Sequence, residues 1–126
     1  MTVLDLFSGS GALGLEALSR GAWRAIFVEH ARSALRVLRA NIELLGVHDE
    51  CTVIDDDVFR YLDRNHTVFD IAFADPPYGT TASFCLVSEF YDKPFARELW
   101  LEHPWGEALD YPGTARTRRY GDTALT

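Results

Sequence analysis

Four consecutive positions, Asp75-Pro76-Pro77-Tyr78, combine a carboxylate, two prolines and an aromatic ring. A turn of this composition can present the exocyclic amine of a nucleobase to an electrophile. The lone pair of such an amine is delocalised into the ring, so the nitrogen is a poor nucleophile until acceptors hold its N–H groups. The Asp75 carboxylate and the Pro76 carbonyl are candidate acceptors. Proline aims that carbonyl by fixing φ, and Tyr78 offers a face on which an extruded base can stack. With an ordinary pKa of about 3.9, Asp75 would be ionised and would orient and polarise the amine, more a hydrogen-bond acceptor than a strong base. Asp75, Pro76, Pro77 and Tyr78 are therefore the candidate catalytic residues. Taken alone, the same run also reads as a strand end punctuated by prolines, with Tyr78 filling a packing gap.

A second constellation lies near the start of the chain. Gly9, Gly11 and Gly14 form a G-x-G-x-x-G run between an apolar stretch and a helical pattern, and Glu29 follows 20 residues after Gly9. Such spacing fits a dinucleotide fingerprint, and a nicotinamide-dependent oxidoreductase is one reading. Asp5 argues against it, because a carboxylate four residues before the first glycine is unsuited to a pyrophosphate. An acid there suits a cation. S-adenosylmethionine carries an amino group, a sulfonium and no phosphate, and its ribose hydroxyls can donate to Glu29. Asp5, Phe7, Gly9, Gly11 and Glu29 are the candidate cofactor residues on this side, the glycines allowing close backbone approach. The competing reading makes Asp5 a satisfied buried acid or a helix-cap partner. Asp55-Asp56-Asp57-Val58 follows a further β-rich stretch. Asp57 is the candidate acceptor for an adenine amino group and Val58 a backbone donor to the ring, while Asp55 and Asp56 also read as a solvated acidic helix start.

These turns need a scaffold that brings them together. Strand patterns at residues 2–7, 25–28, 51–54, 69–74 and 98–102 alternate with helical patterns at 12–20, 31–45, 58–62 and 81–91. The first helix carries Leu13, Ala17 and Leu18 at helical spacing, and the second Leu35, Leu38, Ile42 and Leu45 on one face. His103 to Gly113 reads as a loop, and 116–120 with 123–126 as a terminal hairpin. The pattern predicts an α/β, Rossmann-like, doubly wound and mainly parallel sheet with a C-terminal antiparallel hairpin, in one domain spanning 1–126. In such a sheet the first and fourth strands are neighbours, so the glycine turn and the Asp-Pro-Pro-Tyr turn open into one crevice.

Composition narrows the setting. Apolar residues make up 48% and charged residues 25%, which excludes disorder and a disulfide-stapled scaffold. With 12 basic and 19 acidic side chains the net charge is −7, so nucleic-acid contact must be local. Arg116, Arg118 and Arg119 are the best candidates, and Arg32, Arg36 and Arg39 read as a solvated helix face with Arg39 paired to Glu43. No apolar run approaches the roughly 20 residues of a membrane helix, and no leader pattern is visible, so a cytoplasmic setting is expected. Cys51 and Cys85 read as two buried reduced thiols, and no His or Cys spacing suggests a metal.

The stretches LDLFSGSGALGLEALSRGA, FVEH, FDIAFADPPYG and RRYGDTALT, in this order, resemble the bacterial 16S rRNA guanine-N2 methyltransferase family (RsmD-like), class I enzymes dependent on S-adenosylmethionine. The resemblance implies that Asp5, Gly9 and Gly11 line the methionine and ribose side of the cofactor. It also implies that Glu29 holds the ribose hydroxyls and that Asp57 with Val58 meets the adenine. Asp75, Pro76, Pro77 and Tyr78 would present the amino group of a guanine, in ribosomal RNA or the small ribosomal subunit, to a monomeric enzyme. Adenine-N6 or cytosine-N4 methylation uses the same amine chemistry and stays open. Family members carry an Arg- and Gly-rich segment ahead of the first motif, whereas Met1 here falls almost on the first strand. A truncated, catalytically silent cofactor-binding domain is therefore the alternative from another class.

Overall fold

Alternation of side chains along the first strand, β1 (Thr2–Leu6), determines what each face of the sheet must bury. Val3 points to one face, and Leu4 and Leu6 to the other, and all three are fully buried. A strand covered on both sides needs neighbours on both edges and helices on both faces. The structure, a computed structural model, describes residues 1–77, 81–104, 118–120 and 123–125. Strand β1 pairs in parallel with β2 (Arg24–Glu29) and β4 (Phe69–Ala74). Beyond them lie β3 (Cys51–Asp55) and β5 (Ala96–Pro104), also parallel to their neighbours. Two short antiparallel strands, β6 (Arg118–Tyr120) and β7 (Thr123–Leu125), complete the order β3-β2-β1-β4-β5-β7-β6. The predicted terminal hairpin is thus present, with its second arm inserted beside β5.

Helices α1 (Ala12–Ser19) and α2 (Arg32–Leu45) cover the face carrying Val3, Ala25 and Phe27. Helices α3 (Val58–Arg64) and α4 (Ala82–Asp92) cover the opposite face, where Leu4, Leu6, Val28, Ala72 and Ala74 meet Leu62 and Leu86. Among the described residues no helix is long and apolar enough to cross a membrane.

Several expectations need correction. On α2, Leu35, Leu38 and Ile42 are buried but Leu45 is exposed. Seven residues after Leu38, Leu45 keeps nearly the same direction, so its exposure comes from its place as the last residue of the helix, next to the Gly46 cap. On α1 the buried residues are Gly14, Leu15 and Ala17, and Leu13 is exposed. Cys85 is exposed, because α4 turns Ser83, Leu86 and Val87 inward. Cys51, which opens the edge strand β3, is only half-buried, and desolvation with the nearby Glu50 charge pushes its thiol up to about 11. His103 and Pro104 continue β5, paired with β7, instead of opening a loop. Among the described residues no ion pair joins Arg39 to Glu43; Arg20 pairs with Glu16 on α1, and Arg60 and Arg64 of α3 pair with Asp56 just ahead of it. The rest of the expected loop, with Arg116, lies outside the described residues.

Candidate functional site

Parallel pairing aligns the carboxyl ends of five strands along one edge. Leu6 is registered with Val28 and with Ala74, Glu29 with Asp55, and Ala74 with Leu101. The residues that follow these positions, Phe7, Asp75 and Glu102, therefore emerge side by side, with Glu29 and Asp55 beyond them on β2 and β3. This is the switch point of a doubly wound sheet, where the chain leaves β1 and β4 in opposite directions and opens a crevice.

The turn after β1 is built from unusual backbone. Phe7 has φ 53°, a left-handed conformation that costs a non-glycine residue about 1–2 kcal/mol. Its ring stays against the core, edge-on to Phe59 at 6.3 Å. The chain then passes through Gly9 (φ 55°) and Gly11 (φ 83°), and the Gly11 N–H donates to the Ser8 carbonyl at 2.8 Å. Gly11 is the N-cap of α1 and has no side chain with which to cap it. Asp5 supplies the cap from the strand, its Oδ2 accepting the Gly14 N–H at 3.0 Å. Helix-cap partner is thus the part of Asp5 that the structure displays. Asp5 is 2% exposed, and burial, reinforced by the negative charges of Asp75 and Glu29, pushes its carboxyl up to about 7 despite the Gly14 hydrogen bond.

Gly14 is required by contact. A Cβ there would lie 2.4 Å from Phe27 Cε1 and 3.1 Å from Asp5 Oδ2, and Phe27 is fully buried. Gly14→Ala is expected to destabilise the fold by about 1–3 kcal/mol, the cost of overpacking a filled core. A urea midpoint unchanged from wild type would show that the ring can move aside.

Glu29 pins this turn to β2. Its Oε1 accepts the Gly9 N–H at 2.9 Å, and its Oε2 accepts the His30 and Ala31 N–H groups at 2.7 and 2.9 Å. Asn41 of α2 holds the turn from outside by donating to the Ser10 carbonyl at 3.0 Å. Beside Glu29, His30 Nδ1 lies 3.1 Å from an Asp55 carboxylate oxygen. Asp57 caps α3, its Oδ2 accepting the Arg60 N–H at 3.0 Å, and Val58 is buried behind it. Asp56 is not solvated: it is buried and bound by the Arg64 guanidinium and the Asp57 N–H.

At the end of β4, Asp75 is exposed and Pro76 is buried. Tyr78 lies outside the described residues. Desolvation, together with the charge of Glu102 and a hydrogen bond to it, pushes the Asp75 carboxyl up to about 6. Asp75 therefore remains mostly ionised at neutral pH but is more basic than an ordinary carboxylate. Glu102 was not among the residues singled out from the sequence, because only the β4–β5 register brings it to Asp75. Phe59 and Asn41 were also missed, as nothing in their spacing marks them. The structure thus brings Asp5, Phe7, Gly9, Gly11, Glu29 and Asp75 to one end of adjacent strands, with Asp57 on the next loop. A cavity of about 150 Å³ lined by Leu62, His66, Thr67, Lys93 and Phe95 belongs to the opposite end of the sheet. Among the described residues no cluster of His, Cys, Asp or Glu can hold a metal ion.

Whether S-adenosylmethionine suits these residues can be judged from the turn itself. Nothing lies within 4 Å of the position a Gly9 Cβ would take, so backbone is open to close approach there. Ser8 Oγ is buried with no hydrogen-bond partner. An acid lies beneath and a second acid, Glu29, beside, which fits a ligand with a cationic amino acid end and a ribose.

This topology and crevice are those of the class I methyltransferase fold. A SAM-dependent methyltransferase from Agrobacterium tumefaciens shares the fold over 86% of this chain and 40% of its own, with TM-score 0.70 and 22% identity. The chain belongs to the family described as conserved hypothetical protein 95, an RsmD-like family whose model matches residues 1–89. Ribosomal RNA small subunit methyltransferase D of Escherichia coli (strain K12) is 40% identical over 75 residues, covering 60% of this chain and 37% of that protein. A conserved hypothetical protein from Streptococcus pyogenes superposes with TM-score 0.88 at 29% identity, over 98% of this chain and 82% of its own. The matched stretch thus spans about two fifths of the length of the curated relatives.

Proposed function

We propose that residues 1–126 form a single S-adenosylmethionine-dependent methyltransferase domain that modifies the exocyclic N2 amine of a guanine in small-subunit ribosomal RNA. The observation that carries this reading is the meeting of two acid-bearing turns at the carboxyl ends of β1 and β4. The relatives named as ribosomal RNA methyltransferases support the substrate class. In this reading the enzyme works as a cytoplasmic monomer on ribosomal RNA or the small subunit.

Asp5, Phe7, Gly9 and Gly11 would hold the methionine and ribose side of the cofactor, Glu29 the ribose hydroxyls, and Asp57 with Val58 the adenine. Bound there, the cofactor supplies an electrophilic methyl group on a sulfonium. Asp75 and the Pro76 carbonyl accept the N–H groups of the base and turn its nitrogen toward that methyl, with Pro77 and Tyr78 as the remaining candidate catalytic residues and Tyr78 offering the base a stacking face. Positioning is the main source of acceleration when the leaving group is already activated.

The test is incubation with methyl-labelled cofactor and unmethylated small-subunit particles or their RNA, followed by digestion to nucleosides. Label in N2-methylguanosine is expected. Label in adenosine or cytidine would keep the amine chemistry and overturn the base assignment. Absence of label, with S-adenosylhomocysteine still bound, would make the domain catalytically silent.

A further inference from the structure

Among the described side chains the arginines divide into two groups. Arg20, Arg60, Arg64 and Arg97 pair with acids, and Arg24 donates to the Thr52 hydroxyl. Arg32, Arg36 and Arg39 are exposed, and their side chains make no ion pair or hydrogen bond among the described residues. All three belong to α2, where at 100° per residue they fall within about 60° of one another along about 10 Å of helix. Stability of the helix does not account for them. Arg32 and Arg36 stand four residues apart, where like charges repel, and Arg32 lies in the first turn, where the helix dipole disfavours a cation. That turn holds no acid and the last turn no base, so the charge pattern of α2 runs against its dipole. Glu43 shares the face one turn beyond Arg39, without pairing to it.

This stripe begins at the candidate site. Arg32 follows Glu29 by three residues, and Glu29 holds the N–H groups of His30 and Ala31 between them. Further along, Asn41 donates to the Ser10 carbonyl, so α2 forms a wall of the glycine turn. A chain of net charge −7 repels a polyanion as a whole, and uncompensated guanidiniums supply the local attraction that binding one requires. The planar guanidinium also matches phosphate oxygens two at a time. We propose that Arg32, Arg36 and Arg39 form a track for the phosphates of the RNA strand on the cofactor side of the crevice, holding the strand while a base is presented at Asp75; the proposal rests on the RNA methyl-transfer reading above. Such contacts position the strand and leave its sequence unread.

The deciding experiment measures binding of unmethylated small-subunit ribosomal RNA to the full chain across salt concentrations, with methyl transfer and S-adenosylhomocysteine affinity followed on the same proteins. The wild type is compared with Arg32→Gln, Arg36→Gln and Arg39→Gln combined, and with the same three positions changed to Lys. A matched control combines Arg20→Gln, Arg24→Gln and Arg97→Gln, which removes as much charge from other exposed sites. The slope of log affinity against log salt should shrink by about 0.7 per lost contact, or about 2 in the first variant. Raising salt from about 50 to about 200 mM should then cost the wild type roughly 15- to 20-fold more affinity than this variant. Its KM for RNA should rise, with kcat, cofactor affinity and melting temperature close to wild type. The Lys variant should keep most of the slope, and the control all of it. A slope in the first variant equal to that of the wild type overturns the proposal, as does an equal loss in the control or a wild type that binds no RNA. Weakening seen only with assembled particles, while bare RNA binds as before, would assign the stripe to an acidic protein and overturn it too. A wild type that binds RNA with the expected slope but transfers no methyl group defeats the methyl-transfer reading alone.

Discussion

Asp75→Ala is expected to lower the rate of methyl transfer by about 10²–10⁴-fold while leaving the affinity for S-adenosylhomocysteine within a few-fold of wild type. The size follows from what the side chain does in the proposed acceptor site. Without Asp75 the amine loses an acceptor, keeps its lone pair in the ring, and has no adjacent base for its surplus proton. Asp75→Asn separates these contributions: the amide oxygen still accepts an N–H, but it carries no charge and takes up no proton at neutral pH. Its rate should lie between those of Asp75→Ala and wild type. Asp75 is exposed, so neither change removes core packing, and both proteins should melt close to wild type. Single-turnover transfer at saturating cofactor reads the effect directly. An Asp75→Ala protein that transferred at the wild-type rate would remove the side chain from the mechanism.

Long-range order was legible where a residue's type depends on its neighbours in a simple period. The apolar run Phe69 to Ala74 announces a strand buried on both faces, and the observed β4 has these bounds. The glycine turn and its following helix were equally clear, because positive φ at Gly9 and Gly11 and the close approach at Gly14 each call for glycine. What remained hidden depended on register and rotation. Glu102 lies 27 residues from Asp75 in the chain, and only the pairing of Ala74 with Leu101 makes them neighbours. Cys85 has an apolar side chain in an apolar stretch, yet the rotation of α4 turns it outward. Asp56 and Asp57 are adjacent acids with opposite fates, one buried against Arg64 and the other capping α3, and a run of three aspartates carries no mark of which is which. His103 and Pro104 read as a loop because proline usually ends a strand, but β5 continues through them beside β7.

Asp5→Asn should make the folded chain more stable and the cofactor site worse. An acid whose folded pKa stands at about 7, against 3.8 in the unfolded chain, is neutral in both states at low pH and costs nothing there. As pH rises between those values the unfolded chain gives up its proton first, so stability falls, and the loss is complete above the folded value. Asparagine never ionises, and its side-chain oxygen can still accept the Gly14 N–H. At pH 8 the variant is therefore expected to gain about 1–3 kcal/mol over wild type, the penalty of a poorly compensated buried charge, and the difference should vanish near pH 4. Binding runs the other way. If the carboxylate meets the cationic end of the cofactor, its removal should weaken S-adenosylhomocysteine by about 10- to 1,000-fold. In the wild type, affinity should strengthen from pH 6 to pH 8 as Asp5 ionises, and in Asp5→Asn that part of the pH dependence should disappear. Urea denaturation at pH 4 and pH 8, with calorimetric titration at pH 6 and pH 8, measures both sides. A variant that bound the ligand as tightly as wild type would leave Asp5 as the cap of α1 alone. Lower stability at pH 8 would instead mean that the charge is favourably held by the amino end of that helix, and the upward displacement of its pKa would be wrong.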